Sequence, residues 1–343
     1  MSKKTSILVI YTGGTIGMVQ DLDTGALSPL NFIKITEQIP ELERFNYNIH
    51  VESFSEIVDS TNMKPRHWIR MAKFIGDNYE KYDGFVILHG TDTMAYTASA
   101  ISFLLNNLAK PVILTGSQLP IGEIRTDAKE NLITAIEIAA QKVNGRARVP
   151  EVAIYFDYHL MRGNRSSKFN SAKFEAFATT DYPLLGEAGT SIVFEDRNIR
   201  QVDSKPFSVF QNLNTNVGAL MLYPGIPKHH IQAMLNDKYL EAVVMLTYGS
   251  GNAPTDKWFL DELQASIKRG TILVNITQCQ GGTVDMGRYE TSKHLKEMGV
   301  ITGWDMTFEA ATTKLMYLLA EEPNRDKVRA LIPKDLRGEL TEK

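Results

Sequence analysis

The sequence predicts an α/β protein of two domains: a larger N-terminal domain with a mostly parallel sheet flanked by helices, and a smaller C-terminal α/β domain. Three observations carry this reading. Short, continuous apolar runs alternate with helical patterns through the first half of the chain; a polar, irregular stretch interrupts the rhythm; and the same alternation then resumes. The runs are Ser6 to Tyr11, Gly84 to Leu88, Pro111 to Leu114 and Val152 to Phe156. Each is too short for a helix and apolar on both faces, the pattern of a strand buried in a parallel sheet. Between them, residues 65–79, 91–107 and 127–143 place apolar side chains at helical spacing, as in Leu132, Ile133, Ile136, Ala139 and Ala140. The break falls near 190–215, where Glu195-Asp-Arg-Asn198 and Gln211-Asn-Leu-Asn-Thr-Asn216 stand. The expected division is therefore a catalytic domain over 1–190, a linker over 191–215 and a second domain over 216–343. In the last, strands are expected at 217–223, 242–246 and 271–275, with helices at 227–236 and 255–269. The charged stretch from Leu336 to Lys343 is expected to fray.

With 343 residues the chain is long enough for two cores, and 43% hydrophobic and 22% charged residues match ordinary globular proteins. A net charge of −3 with scattered Lys and Arg argues against a nucleic-acid partner. Cys279 stands alone, which excludes an intramolecular disulfide. Lys3-Lys4 precedes an apolar run too short for a signal-peptide core, and no run reaches the roughly 18 residues of a membrane span. A cytoplasmic location is expected, and the glycosylation-like tripeptides at Asn164 and Asn275 then carry no meaning.

In open parallel sheets ligands sit beyond the carboxyl ends of the strands. There the sequence places Thr12-Gly-Gly-Thr-Ile-Gly17, His89-Gly-Thr-Asp-Thr93 and Thr115-Gly-Ser-Gln118, each with glycine beside a hydroxyl. Glycine lets the backbone turn tightly and approach a ligand, neighbouring N–H groups can face a developing oxyanion, and the hydroxyl is a candidate nucleophile. The plain alternative is that Gly-Thr pairs end strands and cap helices; three in successive loops weigh against it. A dinucleotide fingerprint would need glycine at Thr12, and the P-loop, Gly-x-Ser-x-Gly and His-Glu-x-x-His patterns are missing. The seven histidines form no metal-ligand pattern, so neither metal nor cofactor is expected.

The Thr12–Gly17 segment and Gly84-Phe-Val-Ile-Leu-His-Gly-Thr-Asp-Thr-Met-Ala95 resemble the two signatures of the bacterial asparaginase/glutaminase family, and the short N-terminus resembles its cytoplasmic type I branch. Thr115 to Gln118, Arg162-Gly-Asn-Arg-Ser-Ser-Lys168, Tyr248-Gly-Ser-Gly-Asn-Ala-Pro254 and Leu336-Arg-Gly-Glu-Leu340 follow in the family's order, so the resemblance spans nearly the whole chain. It implies that Thr15 attacks the substrate and that Thr91, Asp92 and Lys168 form a second hydroxyl, carboxylate and amine group facing it. A threonine hydroxyl needs a proton acceptor, and a neutral lysine amine can be one. The resemblance also implies that Asp59, Ser60 and Thr61 hold the α-carboxylate and α-ammonium of the substrate, with Thr91, Asp92 and Ser117 as further contacts.

One departure stands out. The family's mobile loop often carries a tyrosine that helps activate the nucleophile, but here Gly25 is followed by Ala26, and no tyrosine occurs between Tyr11 and Tyr47. Two substitutes remain open: Thr91 with Lys168 through water, or a tyrosine from elsewhere in the assembly. Family members are homodimers or homotetramers whose pockets a neighbour completes, which implies that Asn252 reaches a partner's site; a structural turn is the competing reading. An asparagine effector site near Thr277-Gln-Cys279 is not expected, because Leu246 stands where a basic residue would. The expected activity is hydrolysis of L-asparagine to aspartate and ammonia through an acyl-enzyme. The rivals are a glutamine or aminoacyl-tRNA amidase, and an amino-acid sensor without turnover.

Overall fold

The computed structural model describes residues 4–20, 27–29, 39–202, 205–287 and 290–342. The chain forms two compact units, Met1–Gln211 and Asn212–Lys343.

In the first unit the parallel strands are β1 (Ser6–Tyr11), β2 (Asn48–Ser53), β3 (Gly84–Leu88), β4 (Val112–Thr115) and β5 (Val152–Phe156). They are followed by β6 (His159–Arg162), β7 (Gly186–Ala188) and β8 (Ile192–Phe194). The sheet order is β8-β7-β6-β5-β4-β3-β1-β2, and β6, β7 and β8 are each antiparallel to the preceding strand. The parallel part is the predicted one, with β2 added at its edge. The antiparallel extension arises because β5 turns back through Asp157 and Tyr158, both in the left-handed region at φ 46° and 67°, the geometry of a tight hairpin turn. Strand β8 and the buried Ile199 lie within the stretch expected as a linker and belong to this unit.

Every residue of β1 is buried, as a run apolar on both faces requires. Ile7, Val9 and Tyr11 share one cluster with Val86, Leu88 and Ile113 and with Leu132, Ala135 and Ile136 of helix α3. Each Ile, Val or Leu among them, fully removed from water, stabilises the fold by about 1.5–3 kcal/mol. The helices are α1 (Pro65–Asn78), α2 (Met94–Leu104) and α3 (Ala128–Ala140). Proline opens α1, where its missing N–H costs nothing, and Trp68, Met71, Ala72 and Ile75 give it one buried stripe. Among the described residues no helix is long and apolar enough to cross a membrane.

The second unit holds a parallel sheet of β9 (Val217–Met221), β10 (Ala242–Thr247), β11 (Ile272–Thr277) and β12 (Ile301–Thr302), in that order. Val243, Met245 and Leu273 pack with residues of α4 (Lys228–Leu235), α5 (Lys257–Lys268) and α6 (Glu290–Met298). Helix α7 (Phe308–Glu321), capped by the Thr307 hydroxyl, also contacts the sheet, and α8 (Arg325–Leu331) follows it. Asn275 is fully buried and holds the Gly251 carbonyl at 3.0 Å.

The expectation that residues from Leu336 onward fray is wrong. Glu339 is fully buried, and its Oε1 lies 2.5 Å from Nζ of the equally buried Lys314 of α7. Backbone N–H groups of Leu336 and Arg337 donate to the same carboxylate, and Leu340 is buried beside it. A charged segment reads as solvated only when its charges find no internal partner.

Candidate active site

The register of the sheet brings the reactive turns to one level. Tyr11 stands opposite Leu88, and Leu88 opposite Thr115, so β1, β3 and β4 end side by side. Thr12 completes the join: its N–H and its hydroxyl both donate to the Leu88 carbonyl, at 3.0 and 2.8 Å. The turns beyond then touch through their backbones. Gly13 has φ 133°, and a Cβ there would lie 2.2 Å from the Val58 carbonyl oxygen. Gly14, at φ 95°, leaves only 2.4 Å between its would-be Cβ and the Gly90 nitrogen. Only glycine satisfies both the dihedral and the contact. Thr15 and Thr91 therefore leave adjoining points of two interlocked turns; Thr15 is half-buried at the start of a 3-10 turn, Thr15–Gly17.

A third segment closes on these. Asp59 caps a 3-10 turn, Ser60–Asn62, accepting from the Thr61 N–H at 2.9 Å and the Thr61 hydroxyl at 2.8 Å. Ser60 is buried, and its carbonyl accepts the Thr93 hydroxyl at 2.7 Å, tying this segment to the His89 turn. Asp59 and Thr61 themselves are exposed. The Ser117 hydroxyl is buried and donates to the Leu119 carbonyl at 2.5 Å, so it stabilises its own turn.

Lys168 arrives from the other side. Arg162, at the end of β6, is buried with Glu151: Nε lies 2.6 Å from Oε2, and the guanidinium stacks over Tyr182 at 4.3 Å. Burial opposes the Arg162 charge, and Glu151 more than offsets this, holding the guanidinium above its ordinary pKa. A 3-10 turn, Gly163–Arg165, and a two-residue ladder of Ser167–Lys168 with Phe177–Ala178 carry the chain onward. Lys168 Nζ then donates to Thr91 Oγ1 at 2.8 Å and to Asp92 Oδ1 at 2.7 Å. Asp92 and Lys168, with Phe169, Asn170 and Ser171, line a cavity of about 260 Å³.

His89 is fully buried behind the second turn. Its Nδ1 lies 2.7 Å from the Gly90 carbonyl, which can only accept, so that nitrogen carries the proton; Nε2 accepts from Thr97 Oγ1 at 2.9 Å, which in turn accepts from Trp68 Nε1 at 2.9 Å. The ring is held neutral, its pKa pushed down to about 4 by desolvation, with the Gly90 bond opposing the shift only in part. A group whose folded pKa lies below its unfolded value of 6.5 is protonated first in the unfolded chain. Stability is fully present above 6.5 and is lost as pH falls toward 4, by about 3 kcal/mol for this one residue. Urea denaturation at pH 7, 6 and 5 checks this: His89→Gln should be less stable than wild type at pH 7 yet show a shallower acid slope. An unchanged slope would refute the assignment.

Several contributors escaped the sequence reading. Gln118 Oε1 accepts the Thr91 hydroxyl at 3.3 Å, Asp127 accepts the N–H groups of Gln118 and Leu119, and Asn131 holds the Gly116 carbonyl. Gln118 ends the third turn motif, but nothing local marks its bond to Thr91, and Asp127 and Asn131 act on that turn from further along the chain. Asn252 belongs to the second unit, where its Oδ1 accepts the Thr291 hydroxyl at 2.7 Å and its backbone bridges to Tyr248. Gly25 and Ala26, where the loop tyrosine was sought, lie outside the described residues.

Fold and turns together define a two-domain α/β protein with hydroxyl, carboxylate and amine groups gathered at the carboxyl edge of its larger sheet. The family model described as Asparaginase, N-terminal matches residues 6–200, and the Glutaminase/Asparaginase C-terminal domain matches residues 216–332. L-asparaginase 1 of Escherichia coli strain K12 is 42% identical over 350 residues, covering 99% of each chain. The 60 kDa lysophospholipase of Homo sapiens is 38% identical over 358 residues, covering 98% of this chain and 61% of that one. The crystal structure of L-asparaginase I from Vibrio cholerae matches with a TM-score of 0.90 and 41% identity, covering 99% of this chain and 100% of that one. The chain belongs to the asparaginase family.

Proposed function

We propose that this chain is an L-asparaginase that hydrolyses L-asparagine to L-aspartate and ammonia. The observation that carries the reading is the convergence of Thr15 with the Thr91, Asp92 and Lys168 cluster on interlocked turns. Thr15 Oγ attacks the side-chain amide carbon, its proton passes to the cluster, and the amide nitrogen takes a proton and leaves as ammonia. Water then cleaves the aspartyl ester, returning the proton to Thr15. N–H groups of the glycine turns stabilise the oxyanion. Thr91 and Lys168 serve the proton transfers, while the outward part of Asp92, whose side chain is 54% exposed, accepts the substrate α-ammonium. Asp59, Ser60 and Thr61 hold the amino-acid end, with Ser117 shaping the third wall. The scheme uses neither metal nor cofactor. The protein acts in the cytoplasm as a homodimer or homotetramer, with Asn252 of a partner subunit completing each pocket.

The test is ammonia release by the purified protein from L-asparagine and L-glutamine in parallel. Release from asparagine with less from glutamine is the expected result. No release from either, with asparagine still raising the melting temperature, would replace the enzyme reading with that of an amino-acid sensor.

A further inference from the structure

Gln118 has no part in the scheme above, yet its side chain touches Thr91. An amide has one end that only accepts and one that only donates, and at Gln118 the surroundings decide which end points where. Nε2 donates to the Lys173 carbonyl at 2.9 Å, and a carbonyl can only accept, so Oε1 is the end turned to Thr91. Lys168 Nζ, which as an ammonium only donates, occupies the other side of Thr91 Oγ1 at 2.8 Å. The hydrogen bonds therefore run one way, from Lys168 to Thr91 to Gln118.

The main chain behind Gln118 is equally constrained. Its N–H and that of Leu119 donate to the Asp127 carboxylate at 2.9 and 3.1 Å, and Asn131 bonds both that carboxylate, at 3.3 Å, and the Gly116 carbonyl, at 3.0 Å. Asp127 is half-buried; burial pushes its carboxyl above the ordinary range while the backbone donors pull it back. Such a frame leaves Gln118 little freedom to swing its amide away.

We propose that Gln118 is a positioning residue that fixes the direction of the Thr91–Lys168 hydrogen bond and so favours the proton-donating state of Lys168. The inference rests on the reading of Lys168 as the proton acceptor of the site. To accept a proton, Lys168 must present a lone pair, and the hydroxyl proton beside it is turned to Gln118. The ammonium gains Thr91 and Asp92 as acceptors, whereas the neutral amine gains nothing from Thr91 until that hydroxyl rotates. Removing the acceptor at 118 frees Thr91 to donate to the amine. A charged acceptor at 118 holds the Thr91 proton more tightly and adds a negative charge near the ammonium. Among the described residues, the charged neighbours of these contacts include Asp92 on the second turn, Asp127 behind Gln118, and Lys173 on the segment that receives the Gln118 amide. None of these is altered in the variants below.

The experiment compares Gln118→Leu, which keeps much of the bulk without an acceptor, with Gln118→Glu, which keeps the shape. The acid limb of the pH profile of kcat/KM for asparagine should move down in Gln118→Leu and up in Gln118→Glu, each by about half to one pH unit, the size expected for one hydrogen bond. The Lys168 Nζ resonance in 15N-lysine-labelled protein, assigned with Lys168→Met, should titrate with the same two displacements. A purely structural role would lower turnover evenly across pH in both variants and leave the resonance where wild type has it; that result overturns the proposal. If wild-type protein shows no turnover on asparagine, the asparaginase reading fails separately, and the resonance still decides the role of Gln118.

Discussion

Replacing Thr15 with alanine is expected to leave the protein folded and to cut kcat on asparagine by on the order of a thousandfold or more. Folding and turnover depend on different features of this residue. Thr15 is half-buried and stands outside the apolar clusters, and its turn is shaped by Gly13 and Gly14 and their contacts with Val58 and Gly90. Losing a hydroxyl and a methyl group there removes little packing. In the proposed scheme turnover depends instead on a covalent bond that alanine cannot form. Thermal melting alongside ammonia release separates the effects, and Thr15→Ser, which restores the oxygen, should recover part of the rate. An alanine variant close to wild type would sink the assignment and turn attention to Thr91.

Glu151→Ala should have the largest effect on stability, a loss of about 3–5 kcal/mol, because it strands a buried guanidinium. Side chains of Glu151 and Arg162 are each only 5% exposed, and the carboxylate also accepts the Arg200 N–H at 2.8 Å. In melting temperature the loss corresponds to roughly 10 °C for a unit of this size. Replacing both partners with apolar residues, as in Glu151→Leu with Arg162→Met, should be much milder, since no charge is then left without its counterion. Activity should fall with stability in the single variant, because the segment that follows Arg162 delivers Lys168 to Thr91. Equal melting temperatures for wild type and Glu151→Ala would show that the pair contributes nothing.

The parallel strands were legible because burial on both faces forces continuous apolar runs, and Ser6–Tyr11 and Gly84–Leu88 match their expected bounds. Strand β2 was not, since Asn48–Ser53 lies at a sheet edge and alternates exposed with half-buried residues. The hairpin that adds β6 carries no Asn-Gly signal; Asp157 and Tyr158 take left-handed conformations that tertiary packing imposes. Within the site, Thr15, Thr91, Asp92 and Lys168 stood out through their motifs, and a hydroxyl after a strand has visible chemistry. Gln118 lies in the third turn motif, but its bond to Thr91 was not legible, because the orientation of its amide depends on Lys173, 55 residues on, and its main chain on Asp127. Glu339 went unread for the same reason: its partner Lys314 lies a helix away.

That buried pair bears on how the second unit forms during synthesis. A nascent chain that has emerged only through α8 already contains the sheet strands and α7, but Lys314 then has to be sequestered without its acid. Desolvating an unmatched ammonium opposes docking of α7, so the second unit is expected to consolidate only once Leu336 to Leu340 are present to supply the carboxylate. The first unit is free to consolidate earlier, around clusters drawn from residues already made. A five-residue segment whose Gly338, Glu339 and Leu340 are all buried is thus expected to make completion of the second unit a late and cooperative event.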